Sequence, residues 1–352
     1  MKFDYVIGNP PYQMDADSDS ETNGQKPRTN IFHYFQMQAD NIISKASVLI
    51  YPGARWMHQS GKGLKEFGKN LLNDCHLSNI LFYPNVKEIF GNAADLSDGI
   101  TIVIKKVDKN ISGFKYDYIQ NGEKISVNLD NPGDDLIPLN PNDIGISDKI
   151  KKFVENNGFN FLHNAILPRT LFGIESDYVA KNPNKIRPFE DNTQINSLCE
   201  IKLLTNDKAG SAGRAKWFVV DKSTIVNGTK YIDEFQVVVS SANAAGKKRD
   251  NQMEIIEKGA AFGRARVALR SFKTHQEAIN FYRYLNTYII KYAFLMTGDA
   301  LTSLGKLVPD LNNYAGNNII NFEEDLDKQL FQLMNLDKNE IDYVVNTINE
   351  LR

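Results

Sequence analysis

Two consecutive prolines, Pro10 and Pro11, stand a few residues into this 352-residue chain and end the apolar run FDYVIG (3–8). Proline locks φ and lacks a backbone N–H, so the pair forbids a helix and expels the chain from a sheet. The chain must therefore open with a short buried strand that stops in a rigid turn, Asn9-Pro10-Pro11-Tyr12. The same grammar recurs in SVLIYP (47–52) and SNILFYP (78–84), two further strands halted by proline. Between the strands, Ile31, Phe35, Ala39, Ile42 and Ile43 fall at helical spacing, and so do Leu64, Phe67, Leu71 and Leu72. Alternating strand and helix predicts an α/β fold around a mostly parallel sheet, whose working loops lie beyond the C-terminal strand ends. NPPY, YPGARW and FYPNVKEIFG all leave at that end, which predicts one shared site. GITIVIKKV (99–107) and FKYDYI (114–119) predict a pair of strands near the sheet edge.

The polar segment 14–28, with DADSDSETNG inside it, predicts a mobile loop, since it can bury too little surface to offset its ordering entropy. Residues 126–147, rich in Asn, Pro, Gly and Asp, predict a linker between a first domain (1–125) and a second, mixed α+β region (148–352). In the second region a helix is predicted near 148–156, with strands at EFQVVVSSA (234–242) and ARVALRSF (265–272). The longest helical pattern runs over 275–295, and an amphipathic helix closes the chain.

No apolar run is long enough to span a membrane and no signal-peptide layout opens the chain, so a cytoplasmic protein is expected. Cys75 and Cys199 lack metal-ligand spacing, so neither a disulfide framework nor a metal site is predicted. The net charge of -2 is unevenly spread. Residues 201–300 hold 16 Lys+Arg against 9 Asp+Glu, and residues 301–352 hold 4 against 9. That is a phosphate-facing surface beside an acidic helical cap, or simply an uneven surface.

The NPPY turn has coherent chemistry. The Asn9 side-chain carbonyl and the Pro10 backbone carbonyl can accept both hydrogens of an exocyclic amine, aiming its lone pair at an electrophile without a charged base. Tyr12 can lie against a planar base, a stacking contact of about 1–3 kcal/mol. A flipped nucleobase needs this combination of edge hydrogen bonds and aromatic packing. The bland alternative is a rigid turn with a surface tyrosine.

The segment resembles the catalytic motif of amino-group methyltransferases that act on adenine N6 in DNA. KFDYVIGNPPYQ, NIFHYFQMQAD and YPGARWMHQSGKGLKEFGKNLLND resemble the restriction-modification methylases typified by Eco57I. Later blocks do so too: ILPRTLFGI (166–174), GRARVALRSFKTHQEAINFYRYLNT (263–287) and the closing LDKNEIDYVVNTI. The resemblance implies part of a Rossmann-like methyltransferase sheet, followed by a DNA target-recognition region. It assigns Asn9, Pro10, Pro11 and Tyr12 to adenine binding and methyl transfer. It places Arg55, Trp56, Lys62 and Gly63 along the substrate cleft, although a lone Trp56 reads equally well as a core anchor. It implies S-adenosylmethionine as methyl donor and double-stranded DNA as partner.

In that family an earlier half-domain carries the glycine-bearing loop and acidic strand end that hold the cofactor. Only Met1 and Lys2 precede the motif strand here, so cofactor binding by this chain alone is not expected. Half a sheet leaves an apolar edge, which predicts a partner polypeptide or an oligomer covering it. The function read from the sequence is therefore an adenine-N6 DNA methyltransferase component, completed by another half. The alternatives are a non-catalytic DNA-binding fragment of such an enzyme and a protein-glutamine N-methyltransferase.

For the recognition region the DNA-contact candidates are Arg169, Arg214, Lys216, Lys247, Lys248, Arg249, Arg264, Arg266 and Arg270. Lys and Arg on phosphates give affinity, whereas base choice needs bidentate side chains at groove edges. Asn243 and the loop 208–217 are candidate readers. Arg266 and Arg270 alternate along a predicted strand, which places them on one face. Arg169, between apolar residues, reads equally as a buried ion pair or a phosphate contact.

Overall fold

The computed structural model describes residues 2–15, 28–60, 63–93, 96, 98–247, 249–298, 300–316 and 319–351. The chain forms two compact units, Met1–Gly145 and Ile146–Arg352. Most of the predicted 14–28 loop lies outside the described residues.

The first unit begins with β1 (Phe3–Gly8), then β2 (Gln13–Asp15), β3 (Arg28–Asn30), α1 (Phe32–Ile42) and β4 (Ile43–Pro52). It continues through α2 (Lys65–Leu72), β5 (Leu77–Tyr83), α3 (Lys87–Phe90), β6 (Ile100–Lys106), β7 (Phe114–Gln120) and β8 (Glu123–Leu129). Six of these strands form one sheet in the order β1-β4-β6-β5-β7-β8. β1 pairs parallel to β4 and β5 parallel to β7, while β6 pairs antiparallel to both β4 and β5. The sheet is therefore mixed. The strands β1, β4, β5 and β7 still run one way, because β6 enters reversed between two that do. The predicted pair 99–107 and 114–119 is not adjacent, since β5 sits between β6 and β7.

The predicted linker is mostly part of this unit. β8 returns from β7 through the left-handed pair Asn121-Gly122, at φ +55° and +78°. Ile137 joins the core and the Leu139 carbonyl accepts from the Tyr116 hydroxyl at 2.7 Å. Proline and asparagine there mark an ordered strap rather than a free connector.

β1 is a sheet edge among the described residues. Val6 turns toward the core with Phe32 and Ala39 of α1. On the opposite face Phe3, Tyr5 and Ile7 keep 49%, 60% and 76% of their surface exposed. Tyr5 and Ile7 pair with Ala46 and Val48, both only half-buried, so an apolar sheet face lies open there, while Phe3 pairs with buried Ile43. Scattered exposed apolar residues are ordinary, whereas a contiguous row on an edge strand marks a contact surface.

The second unit runs through α4 (Ile144–Asn156), β9 (Asn160–Phe161), α5 (Tyr178–Lys181), β10 (Ile186–Pro188), β11 (Glu200–Asn206) and β12 (Ala215–Asp221). β13 (Phe235–Ser240), β14 (Glu254–Ile256), β15 (Ala260–Phe262) and β16 (Arg266–Phe272) follow. Last come α6 (His275–Leu285), α7 (Tyr288–Thr297), β17 (Pro309–Asp310), α8 (Leu326–Leu333) and α9 (Lys338–Glu350). The central sheet β14-β13-β16 buries Val237 and Val239 among the helices on one face, and Val238 against the β10-β12-β11-β15 sheet on the other. The long helical pattern 275–295 is two helices broken at Asn286-Thr287. Capping boxes at Thr274/Glu277 and Asp337/Glu340 start α6 and α9.

Candidate active site and nucleic-acid face

Gly8 of β1 lies beside Leu49 of β4, so NPPY leaves the sheet at the end where Pro52 terminates β4. Pro52 pairs with Ile100 and Tyr83 pairs with the same residue, which brings the loops after β4 and β5 to that end too. Gly53 makes the turn at φ +65°, its N–H donating to the Gly99 carbonyl at 2.7 Å. A Cβ there would stand 3.0 Å from Asp98 Cβ. The three proline-halted strands thus open on one side, as their sequences predict.

Within NPPY, Pro10 is buried, Asn9 and Pro11 are exposed, and Tyr12 is half-buried against the core. Burial pushes the Tyr12 hydroxyl's pKa up, and a hydrogen bond from the Asn9 side chain offsets part of that rise. The Tyr12 carbonyl accepts from the Ile31 N–H at 3.0 Å, and β2 pairs with β3 from Gln13 to Asp15. The catalytic-type turn is therefore tied at its far end to the start of α1.

Trp56 is fully buried, donating from Nε1 to Thr101 Oγ1 at 2.9 Å and packing with Tyr51 and Phe67. Of its two sequence readings the core anchor is the one seen: it fastens the turn after β4 instead of lining a cleft. Arg55 is exposed, with Nε 2.7 Å from Asp98 Oδ2. Lys62 lies outside the described residues. Gly63, at φ +78°, lines a cavity of about 360 Å³ with His33, Gln36, Phe67 and Lys105.

Sequence reasoning misses the polar network behind this cavity. Lys105 is buried, its Nζ 2.6 Å from both Asp40 Oδ2 and Asp74 Oδ2. Gln36 donates to Asp40 at 2.7 Å and accepts from the Tyr51 hydroxyl. Burial alone would raise the Asp74 carboxyl, but the Lys105 ammonium and the His76 N–H bring it below its ordinary value. The sequence signal is the strand ITIVIKK, in which alternation puts Lys105 on the same face as buried Thr101 and Val103. Asp74, Cys75 and His76 hold ligand-type atoms within 4.8 Å of one another, but Asp74 is committed to Lys105 and to the His76 N–H.

In the second unit several basic stretches meet at one end. The hairpin from β11 to β12 closes with Asn206 opposite Ala215, and β15 runs parallel to β11 with Phe262 beside Leu204. The next residues therefore emerge together: Asp207 to Arg214 from the hairpin, Gly263 to Ala265 from the β15–β16 connection. Ser240 opposite Arg266 brings the β13–β14 connection to the same end, carrying exposed Lys247 and Arg249. Lys248 lies outside the described residues. Arg169 joins from the 166–174 block, donating from Nε to the Arg264 carbonyl at 2.9 Å. Lys216 is paired with Asp207 at 2.8 Å.

Arg266 and Arg270 do not share a face. β16 carries a bulge, Val238 pairing with Ala268 but Val237 with Arg270, so Leu269 is the extra residue. One inserted residue reverses the alternation beyond it. Arg266, 7% exposed, reaches Glu254 and Gln252 on one side. Arg270 pairs with Asp310 and lies over Phe272 and Tyr314 on the other. Both hold the fold together and neither presents a free guanidinium to solvent. Asn243, also buried, spends its amide on the Arg249 carbonyl at 2.5 Å.

Residues 1–90 match the family model described as Eco57I restriction-modification methylase. A Mycoplasma pneumoniae protein described as an uncharacterized adenine-specific methylase is 46% identical over 57 residues, 16% of this chain and 13% of that protein. Among solved structures, the type IIG restriction endonuclease BpuSI has a TM-score of 0.34 at 10% identity, covering 99% of this chain and 53% of its own. The type IIL restriction-modification enzyme MmeI in complex with DNA has a TM-score of 0.43 at 9% identity, with 99% and 54% covered. Both scores are too low to decide a fold, and this chain spans little more than half of either enzyme. The Asn9–Tyr12 loop falls within the residues that match this family model.

Proposed function

We propose that this chain supplies the base-accepting half of an adenine-N6 DNA methyltransferase in a restriction-modification system. The observation that carries the reading is the Asn9–Tyr12 loop at the end of β1, where exposed Asn9 stands near the half-buried Tyr12. The Asn9 side-chain carbonyl and the Pro10 carbonyl can accept the two hydrogens of an adenine N6. The Tyr12 ring, half-buried against a packed core, is a rigid stacking surface at low entropic cost. A flipped adenine needs both features, and the amine's lone pair is then directed outward without a charged base.

S-adenosylmethionine is the donor that the family implies. Among the described residues β1 is the edge strand on the NPPY side of the sheet. The open β1 edge, with Phe3, Tyr5 and Ile7 exposed, is where a cofactor-holding half would join, as a partner polypeptide or further chain. The basic end of the second unit, with Arg169, Lys208, Arg214, Lys247, Arg249 and Arg264, is the surface for duplex phosphates. Arg266 and Arg270 support it from beneath.

Calorimetric titration with S-adenosylmethionine, with and without duplex DNA, tests this. Duplex binding is expected from the chain alone, with cofactor binding appearing only after a family half-domain carrying the glycine-bearing loop is added. Cofactor and duplex both ignored, even with that half supplied, would remove the reading. Duplex binding that never acquires cofactor binding or methyl transfer would leave a DNA-binding fragment.

A further inference from the structure

Arg169 and Arg264 come from segments nearly a hundred positions apart and meet in a small, tightly built loop cluster. Gly263 has no room for a side chain: a Cβ would lie 2.3 Å from Thr205 Oγ1. The Arg264 N–H donates to the Ile174 carbonyl at 2.9 Å. Its carbonyl accepts from Arg169 Nε at 2.9 Å and from Ser241 Oγ at 3.0 Å. The backbone that carries both arginines is thus fixed before any ligand arrives.

The charges are less settled. Arg264 Nη1 lies 2.8 Å from Glu175 Oε2, with both side chains about half exposed. No described residue accepts from Arg169 Nη1 or Nη2. Desolvation and then the charge of Arg264 lower the Arg169 pKa, with Glu175 opposing them. Two cations facing one carboxylate leave an unmatched positive charge, carried by a guanidinium whose fork is open.

We propose that Arg169 and Arg264 form one clamp for a DNA-backbone phosphate, and that Glu175 occupies Arg264 until a phosphate displaces it. The inference rests on the DNA-binding reading and refines it. A phosphate bridging both guanidiniums gains two charge-assisted contacts, whereas Glu175 satisfies one. The carboxylate also competes with a phosphate for Arg264, so it weakens association. Because the Arg264–Glu175 pair is half exposed, its own contribution to stability is small and exchange is cheap.

Duplex affinity of the full chain is measured across a salt series for Glu175→Gln, Arg264→Gln and the double variant. Glu175→Gln should tighten binding about fivefold and Arg264→Gln should weaken it about tenfold, the scale of losing one phosphate contact. On the Arg264→Gln background, Glu175→Gln should have a much smaller effect, since only its longer-range charge on Arg169 remains. Unchanged or weaker binding by Glu175→Gln, or the same gain with Arg264 absent, overturns the proposal. In a parallel arm, inorganic pyrophosphate is titrated into the wild-type chain while the Arg169 side-chain ¹⁵N resonances are followed. If the wild-type chain ignores duplex yet these resonances shift, the DNA reading fails and the clamp stands. If they do not shift, the clamp fails as well.

Discussion

Replacing Ile7 by Lys tests whether the β1 edge is a contact surface. Ile7 keeps 76% of its surface in water, so the folded unit gains little from it. Burying an isoleucine completely is worth about 1.5–3 kcal/mol, so about 1–2 kcal/mol is still available when the edge is covered. If two copies meet edge to edge, both residues contribute and the substitution removes about 2–4 kcal/mol. That corresponds to a dissociation constant about 30- to 700-fold higher, before any repulsion between the lysines. Lysine is a common guard on natural edge strands, and surface changes of this kind stay within about 0.5 kcal/mol of neutral. Sedimentation velocity over a concentration series should show the wild-type chain self-associating and the variant sedimenting as a monomer, with melting temperatures nearly equal. A wild-type chain that stays a clean monomer at every concentration would refute the reasoning. So would a variant that melts many degrees lower, since Ile7 would then be part of the core.

Asn9→Ala in a completed enzyme should lower methyl transfer by about 10²–10³-fold, the usual effect of losing one preorganised polar contact, while duplex affinity measured by fluorescence anisotropy stays within about twofold. Arg266→Gln and Arg214→Gln should part company. The first breaks a buried pair with Glu254 and should cost about 3–5 kcal/mol in urea unfolding. The second should leave stability unchanged and reduce the salt slope of DNA binding by about one. Lys105→Met should blunt the acid response of the first unit. In the wild type, Asp74 is held below its ordinary pKa, so its stabilising contribution is present above that value and is lost as pH falls through the depressed one. Without the ammonium, desolvation is opposed only by the His76 backbone N–H and side-chain charge, so Asp74 is less depressed and the variant should lose less stability as pH falls. Thermal melts between pH 3 and about 7 compare the two losses.

Local rules made the strands and most helices legible. The prolines at 10, 52 and 84 each end a strand, because a missing N–H and a locked φ act whatever surrounds them. The helical spacing over 31–43 became α1, and the prolines put the catalytic-type loop beside the turn after β4. Errors came where distant chain segments compete for one position. Residues 99–107 read as the partner of 114–119, yet β6 is held between β4 and β5 by pairings that no local pattern encodes. Residues 126–147 read as a linker on composition, although β8 and Ile137 complete the first unit's sheet and core.

The sequence by itself determined the strand-turn chemistry of Asn9-Pro10-Pro11-Tyr12, the likeness of its first 90 residues to the Eco57I restriction-modification methylase model, and the presence of a basic middle region. Those depend on covalent geometry, side-chain identity and the count of charges. Tertiary structure decided which cations are available. A single bulge at Leu269 turned Arg266 and Arg270 to opposite faces and into ion pairs, while converging strand ends left Arg169 with an open fork beside Arg264. It also made Trp56 a core anchor and left Phe3, Tyr5 and Ile7 uncovered. Whether a charge or an apolar ring is spent inside the fold depends on what packs beside it, and residues far away in sequence provide that.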